Sequence, residues 1–114
     1  MKLEYSELDN GMRLIKLIGR LDMAGVNLIH KQFVEHCEGE NVLALVDLSE
    51  VNYLSSIGIP MLITSAKVLV SHGGKMAFIA PPANVKTVLD ITGVSNIVRI
   101  YKDLDTARER LMSA

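Results

Sequence analysis

Two adjacent serines, Ser55 and Ser56, are the side chains best placed to carry chemistry in this sequence. They join an apolar strand pattern at residues 42–48 to a long apolar helix pattern at residues 57–72. A serine at a helix start can cap the helix, because its oxygen accepts a hydrogen bond from a free N–H of the first turn. The same N–H groups and the helix dipole also favour a phosphate. The position therefore fits both a helix cap and a phosphorylation site.

The proline that follows restricts where the helix can begin. Pro60 lacks an N–H and is tolerated only in the first turn of a helix. That places the predicted start near Ser56 or Ile57, so the sequence favours Ser56 over Ser55 as the cap. Gly58 leaves the backbone uncovered beside the hydroxyl, and we expect this to permit close approach by another protein.

The predicted helix is apolar on nearly every side rather than along one stripe. One interpretation buries it between a sheet and neighbouring helices. The other leaves Ile59, Met61 or Ile63 exposed as part of a binding patch. The two interpretations can hold for different residues, and periodicity alone does not separate them.

Two aspartates are the remaining candidates for a site. Asp22 precedes a helix pattern and is predicted to cap it. Asp47 follows a buried strand pattern and can orient the next loop through backbone hydrogen bonds. Acid–base chemistry would require the two carboxylates to meet, and nothing in the sequence brings them together. The three histidines have no metal-ligand spacing with one another or with the single cysteine. We therefore expect no metal, no cofactor and no enzymatic activity.

The elements that must position these residues alternate along the chain. Strands are predicted at residues 3–8, 12–18, 42–48, 76–79 and 97–100, and helices at residues 22–37, 57–72, 84–91 and 103–112. Asp103 or Asp105 would cap the last helix. This order predicts an α/β fold with a mostly parallel mixed sheet, an N-terminal antiparallel hairpin strand and about four helices. Partners of such sheets meet the loops at the carboxyl ends of the strands, where both serines would lie.

Length and composition limit the classes of function. The 114 residues, 49% of them hydrophobic, predict one domain over residues 1–114 with its own core. A formal net charge of −1 provides no basic field, so we expect neither a nucleic-acid partner nor direct membrane insertion. Cys37 is the only cysteine, which excludes an intramolecular disulfide. We expect a cytoplasmic protein.

In this order and spacing, these residues resemble the STAS domain, the fold of bacterial anti-sigma factor antagonists. The resemblance extends over about residues 14–111. Its main segments are Gly19-Arg20-Leu21-Asp22, Val46-Asp47-Leu48-Ser49-Glu50-Val51 and Tyr53-Leu54-Ser55-Ser56-Ile57-Gly58-Ile59, with further support from His72-Gly73-Gly74-Lys75 and Ile91-Thr92-Gly93-Val94.

The resemblance implies a phosphorylation switch. The unphosphorylated protein would bind a serine-protein kinase that is also the anti-sigma factor, phosphorylation would release it, and a PP2C-type phosphatase would reset it. Ser56 matches the phosphorylated serine of the family, with Ser55 as the competing acceptor. Ser55 stands where the family often has an aspartate. The residues expected to bind the partner are Asp22, Ser55, Ser56, Gly58, Ile59 and Met61.

Two other functions compete with the switch. A non-switching STAS subunit could be an adaptor in a lipid-transport or signalling complex, in which case Ser56 would only cap the helix. A nucleotide-binding module is the third alternative, since the family sometimes binds nucleotides near this loop. The chain lacks a glycine-rich phosphate loop, because Gly73-Gly74 follows a helix pattern rather than preceding one.

Overall fold

Five strands and four α-helices alternate along the chain. The computed structural model of the protein describes residues 1–112. The elements are β1 (Lys2–Glu7), β2 (Arg13–Leu21), α1 (Met23–His36), β3 (Leu43–Leu54), α2 (Ile59–Ser71), β4 (Lys75–Ile79), α3 (Ala83–Ile91), β5 (Arg99–Tyr101) and α4 (Leu104–Met112). Short 3-10 turns lie at Asp9–Gly11, Ser56–Gly58 and Val94–Asn96.

The strands form one mixed sheet in the order β1-β2-β3-β4-β5. β1 is antiparallel to β2, and the β2–β3, β3–β4 and β4–β5 pairs are parallel. The hairpin between β1 and β2 turns at Asn10, which has a positive φ of 70°, a conformation that asparagine adopts more readily than most residues. The predicted fold class is confirmed.

Helices cover both faces of the sheet, which explains the continuous apolar run in β3. Ala44, Val46 and Leu48 face the larger core, to which α1, α2 and α3 contribute. Leu45 faces the opposite side and packs in a smaller core with residues of α4 such as Ala107. The central strand β3 is therefore apolar on both faces of the sheet.

The end of β3 differs from the prediction. The strand extends to Leu54, six residues beyond the predicted end at Leu48. Its pairing with β2 shifts between Lys16 and Ile18, where β3 contains an extra residue. Asp47 accepts a hydrogen bond from the Ser49 N–H at 2.9 Å beside this irregularity. The bond lies within β3, and the residues after Asp47 are strand rather than loop. The prediction that Asp47 orients a following loop was therefore wrong.

The last helix begins as the sequence indicated. Of the two candidate caps, Asp103 accepts a hydrogen bond from the Thr106 N–H at 2.8 Å, and this bond lowers the pKa of the Asp103 carboxyl. α4 then starts at Leu104. Within residues 1–112, no helix is both long and apolar enough to cross a membrane.

Candidate functional site

The loops that follow β2 and β3 lie side by side at the carboxyl end of the sheet. Leu21 pairs with Leu54, so Asp22 and Ser55 leave neighbouring strand ends. Ser55 ties the two loops together: its N–H donates to the Leu21 carbonyl at 3.1 Å, and its hydroxyl donates to the same oxygen at 3.3 Å. The backbone that presents Ser56 is thus fastened to the end of β2.

Asp22 caps α1, as predicted. One carboxylate oxygen accepts a hydrogen bond from the Gly25 N–H at 2.9 Å, and the other lies 3.3 Å from Nε of Arg20. The bond from Gly25 lowers the pKa of the Asp22 carboxyl most, and Arg20 lowers it further. Both oxygens of this carboxylate therefore have partners within the protein.

Arg20 and Tyr53 form a contact at the same edge that sequence reasoning did not find. The Arg20 guanidinium lies 4.2 Å from the centre of the Tyr53 ring, a cation–π contact. The pairing of Arg20 with Tyr53 across β2 and β3 explains it. This pairing depends on the register after the irregular part of β3, which the sequence pattern does not reveal.

Ser56 differs from Asp22 and Ser55 because it is exposed and its hydroxyl caps no helix. Ser56 is the first residue of a 3-10 turn, and α2 begins only at Ile59. The Gly58 N–H donates to the Ser55 carbonyl at 3.0 Å, and the Ile59 N–H donates to the Ser56 carbonyl. These two backbone carbonyls therefore accept the hydrogen bonds that a capping side chain would otherwise accept. The prediction that Ser56 caps the helix was wrong, although Pro60 does lie in the first turn.

Gly58 is buried rather than open to a partner. A Cβ atom at this position would lie 3.0 Å from Cγ of Leu21 and 3.1 Å from Cδ1 of Leu54. The absence of a side chain lets the 3-10 turn pack against the ends of β2 and β3. The expectation that Gly58 opens the backbone to another protein was therefore wrong.

The buried side of α2 includes two residues expected at the partner surface. Ile59 is 7% exposed and Met61 is 5% exposed, so neither forms the exposed apolar patch that we expected. Their side chains join the large core beneath the helix, and Ile63 is partly buried against it. Ile57 is the apolar residue that is accessible beside Ser56, at 49% exposure.

A groove between α1 and α2 adjoins Ser56. Its volume is about 230 Å³. Exposed residues form its rim, and Met61 contributes to its floor. The lining residues are Val26, His30, Val34, Ile57, Pro60, Met61, Thr64 and Ser65. Ile57 was missed because the almost wholly apolar segment 57–72 does not reveal which of its residues are open. His30 was missed because the sequence does not show that α1 lies beside α2.

Asp47 and Cys37 lie apart from this edge. Asp47 precedes Leu54 by seven residues on β3, a rise of about 20 Å along a strand, so it does not meet Asp22. Burial raises the pKa of the Cys37 thiol to about 12, which keeps it protonated. Residues 1–112 contain no group of three or more histidine, cysteine or acidic side chains able to hold a metal ion.

The geometry defines a small mixed α/β domain with an exposed serine on a fastened loop at the carboxyl end of its central strand. The model of the STAS domain family matches residues 6–107. This match spans most of the chain, so the chain belongs to the STAS domain family.

Named relatives and solved structures agree with this assignment. A Thermotoga maritima protein provisionally named an anti-sigma factor antagonist is 32% identical over 74 residues, which are 65% of this chain and 65% of that protein. The match thus spans slightly less than two thirds of the relative's length. An anti-sigma factor antagonist from Mycobacterium paratuberculosis has a similar structure, with a TM-score of 0.83, 20% identity and coverage of 97% and 93% of the two chains.

SpoIIAA has been solved in two forms that share this fold. Its unphosphorylated form gives a TM-score of 0.81 at 16% identity, covering 99% of this chain and 98% of that one. The phosphorylated form of this Bacillus cell fate determinant gives 0.72 at 15% identity, covering 96% and 98%. At these identities the likeness establishes a shared fold.

Proposed function

We propose that this protein is an anti-sigma factor antagonist that acts by partner switching. In its unphosphorylated form it binds a serine-protein kinase that is also an anti-sigma factor, and phosphorylation of Ser56 releases it. A PP2C-type phosphatase then restores the serine. On this proposal the protein acts in the cytoplasm, as a binding protein rather than an enzyme. Membership of the STAS family and the names of the relatives support the proposal.

The observation that carries the proposal is the accessibility of the Ser56 hydroxyl and its lack of a capping bond. It is exposed and serves no cap, so a kinase could reach it without breaking a hydrogen bond of the fold. Ser55 is the weaker candidate because it is partly buried and its hydroxyl donates to Leu21. Of the two serines, Ser56 is the more accessible and the less engaged.

The groove beside Ser56 supplies a surface for the partner. Ile57 and Pro60 are accessible at its rim, and His30 lines it from α1. Apolar contact at the rim would surround Ser56 and remove water from it. Asp22 and Arg20 stand at the adjacent edge and would contribute polar contacts at the border of the interface.

Phosphorylation would oppose binding by putting charge into that contact. A phosphoserine carries close to two negative charges near neutral pH, and burying such a group without a partner costs several kcal/mol. Even about 3 kcal/mol weakens binding by roughly a hundredfold. The fold itself would tolerate the phosphate, because Ser56 is exposed and the loop is fastened through Ser55.

Phosphorylation is tested with a candidate serine kinase encoded beside this protein and Mg-ATP, followed by mass spectrometry of the peptide that contains both serines. We expect one phosphate on Ser56 in the wild type and in Ser55→Ala, and none in Ser56→Ala. Ser55→Ala is the matched control because it removes the adjacent hydroxyl. Full phosphorylation of Ser56→Ala would contradict the assignment of the acceptor.

Binding to the same kinase tests the switch. Ser56→Ala should bind like the wild type, and Ser56→Asp should bind more weakly, although one aspartate carries less charge than a phosphate. If neither phosphorylation nor Ser56→Asp changed the affinity of the assembly, the protein would be a permanent adaptor. Neighbouring genes for a transporter, rather than for a kinase and phosphatase, would also favour the adaptor.

A further inference from the structure

A second recess lies at the opposite end of the sheet from Ser56. Lys75 pairs with Leu43, the first residue of β3, whereas Ser55 follows the last. Two adjoining cavities of about 360 and 700 Å³ open there, between the end of α2, the β4–β5 edge and α4. We call this recess the basic groove and define it by Lys67, Val70, Lys75, Met76, Ile97 and Arg99.

The charges of the basic groove have one sign. In the part of the chain that the structure describes, the charged residues that line the groove are Lys67, Lys75, Arg99 and Arg110, and none of the lining residues is acidic. The whole chain has 13 acidic and 12 basic residues, so this local composition departs from the average. Among the residues that the structure describes, Lys67, Lys75 and Arg99 take part in no ion pair, whereas Lys2, Lys16 and Lys86 each pair with a carboxylate.

Apolar side chains accompany these cations. Val70 is 64% exposed and Ile97 is 52% exposed, and both line the two cavities. Met76 forms a buried floor between them. A ligand that fits the groove must therefore combine negative charge with an apolar group. A nucleic acid backbone would meet the cations but leave Val70 and Ile97 without an apolar contact.

We infer that the basic groove binds an acidic segment of a partner protein. An apolar side chain of that segment would lie between Val70 and Ile97, and its carboxylates would face Lys67, Lys75 and Arg99. Because the groove is at the far end of the sheet, this partner and the partner at Ser56 could be bound together. The domain would then join two proteins. One would bind at Ser56, where phosphorylation changes the charge, and the other in the basic groove, whose charge phosphorylation of Ser56 does not change.

The experiment measures fluorescence anisotropy of a labelled peptide, EEDLFDEE, titrated with the full chain. We expect saturable binding that weakens as salt is added, and weaker binding of EEDGGDEE and KKRLFRKK. Lys67→Glu should weaken binding of EEDLFDEE by about tenfold. Its matched control is Lys31→Glu, which makes the same change of charge at an exposed position of α1 and which should leave the affinity near that of the wild type. Lys31 forms no ion pair within residues 1–112.

The apolar contact has its own pair of variants. Val70→Ser should weaken binding, whereas Leu28→Ser, at a comparably exposed position of α1, should not. Ser56→Asp should leave this affinity unchanged, and circular dichroism of each variant confirms that it is folded. Equal effects of Lys67→Glu and Lys31→Glu would overturn the inference, as would EEDGGDEE binding as tightly as EEDLFDEE. Tighter binding of a DNA duplex or of phosphatidylserine vesicles than of EEDLFDEE would also overturn it.

Discussion

The β2–α1 and β3–α2 junctions stand side by side at one edge of the sheet but begin their helices differently. At the first, α1 follows the strand at once, and Asp22 uses both carboxylate oxygens within the protein. At the second, a 3-10 turn intervenes, backbone carbonyls satisfy its donors, and Ser56 has an exposed hydroxyl with no capping bond. Aspartate and serine have similar propensities to cap a helix, but Asp22 is a cap here and Ser56 is not.

This difference between the junctions distinguishes polar side chains that form hydrogen bonds within the fold from the Ser56 side chain, which forms no capping bond. Asp22 and Ser55 hold the two loops in place through hydrogen bonds, whereas the Ser56 hydroxyl makes no capping bond. Each junction also contains a buried glycine where two segments meet closely, Gly25 at the first and Gly58 at the second. Substitutions at these positions test whether the first junction is the more tightly built of the two.

The largest expected effect is that of Gly25→Ala. A Cβ atom there would lie 2.1 Å from the Arg20 carbonyl oxygen, too close for a real contact, so β2 and α1 must move apart. We expect the free energy of unfolding to fall by about 3 kcal/mol or more, measured by urea denaturation. Gly58→Ala is the comparison variant. Its nearest contact would be 3.0 Å from a Leu21 side-chain atom, and we expect a loss of about 1–2 kcal/mol. Equal losses would contradict the difference between the junctions.

A smaller effect is expected for Asp22→Ala, and it should depend on pH. The hydrogen bond from Gly25 lowers the folded-state pKa of Asp22 below its ordinary value of 3.8, so the unfolded state binds this proton more readily. The stability that Asp22 contributes is therefore complete above that ordinary value and is lost as the pH falls through the folded-state pKa.

Urea denaturation of the wild type and Asp22→Ala between about pH 6 and pH 2 measures this dependence. The two proteins should differ at about pH 6 and converge at the acid end of this range. Asp105→Ala is the control, since that exposed carboxylate in the first turn of α4 makes no hydrogen bond within the described residues. A wild-type advantage over Asp22→Ala that persisted unchanged at the lowest pH would refute the assigned role of the carboxylate.

The smallest effects concern the two serines. Ser55→Ala removes the hydroxyl that donates to Leu21 and should cost about 1 kcal/mol of unfolding free energy. Ser56→Ala removes no capping bond from an exposed site, and its effect should stay within about 0.5 kcal/mol. Thermal and urea denaturation of both variants measure these differences. A larger loss for Ser56→Ala than for Ser55→Ala would reverse the roles given to the two hydroxyls.

Most of the fold could be predicted because its signals are local. The apolar run of β3 and the Asp22 cap each depend on a few neighbouring residues. The end of β3 could not be predicted in this way. Its buried residues Leu48, Val51 and Leu54 are spaced by three, because the strand is irregular there and loses its alternation. A shift in pairing depends on the neighbouring strand, so the sequence of one segment does not identify it.

Only part of the candidate site could be predicted, because the rest depends on packing between segments that are distant in the sequence. Pro60 limited the start of α2 to within a few residues, but the sequence does not distinguish a 3-10 turn from the first turn of an α-helix. The buried positions of Ile59 and Met61 depend on how α2 rotates against the sheet. An almost uniformly apolar helix gives no indication of that rotation. Tertiary packing therefore determines both the 3-10 turn before α2 and the burial of Ile59 and Met61.

The two bonds from Ser55 to the Leu21 carbonyl have an energetic consequence for recognition. Ordering a flexible backbone on association costs about 1–2 kcal/mol of conformational entropy for each residue. Here the loop is already held to the end of β2, so that cost is met when the domain folds. A preorganised loop lets a small contact area give useful affinity, so a partner that bound at this loop would meet Ser56 in one defined orientation.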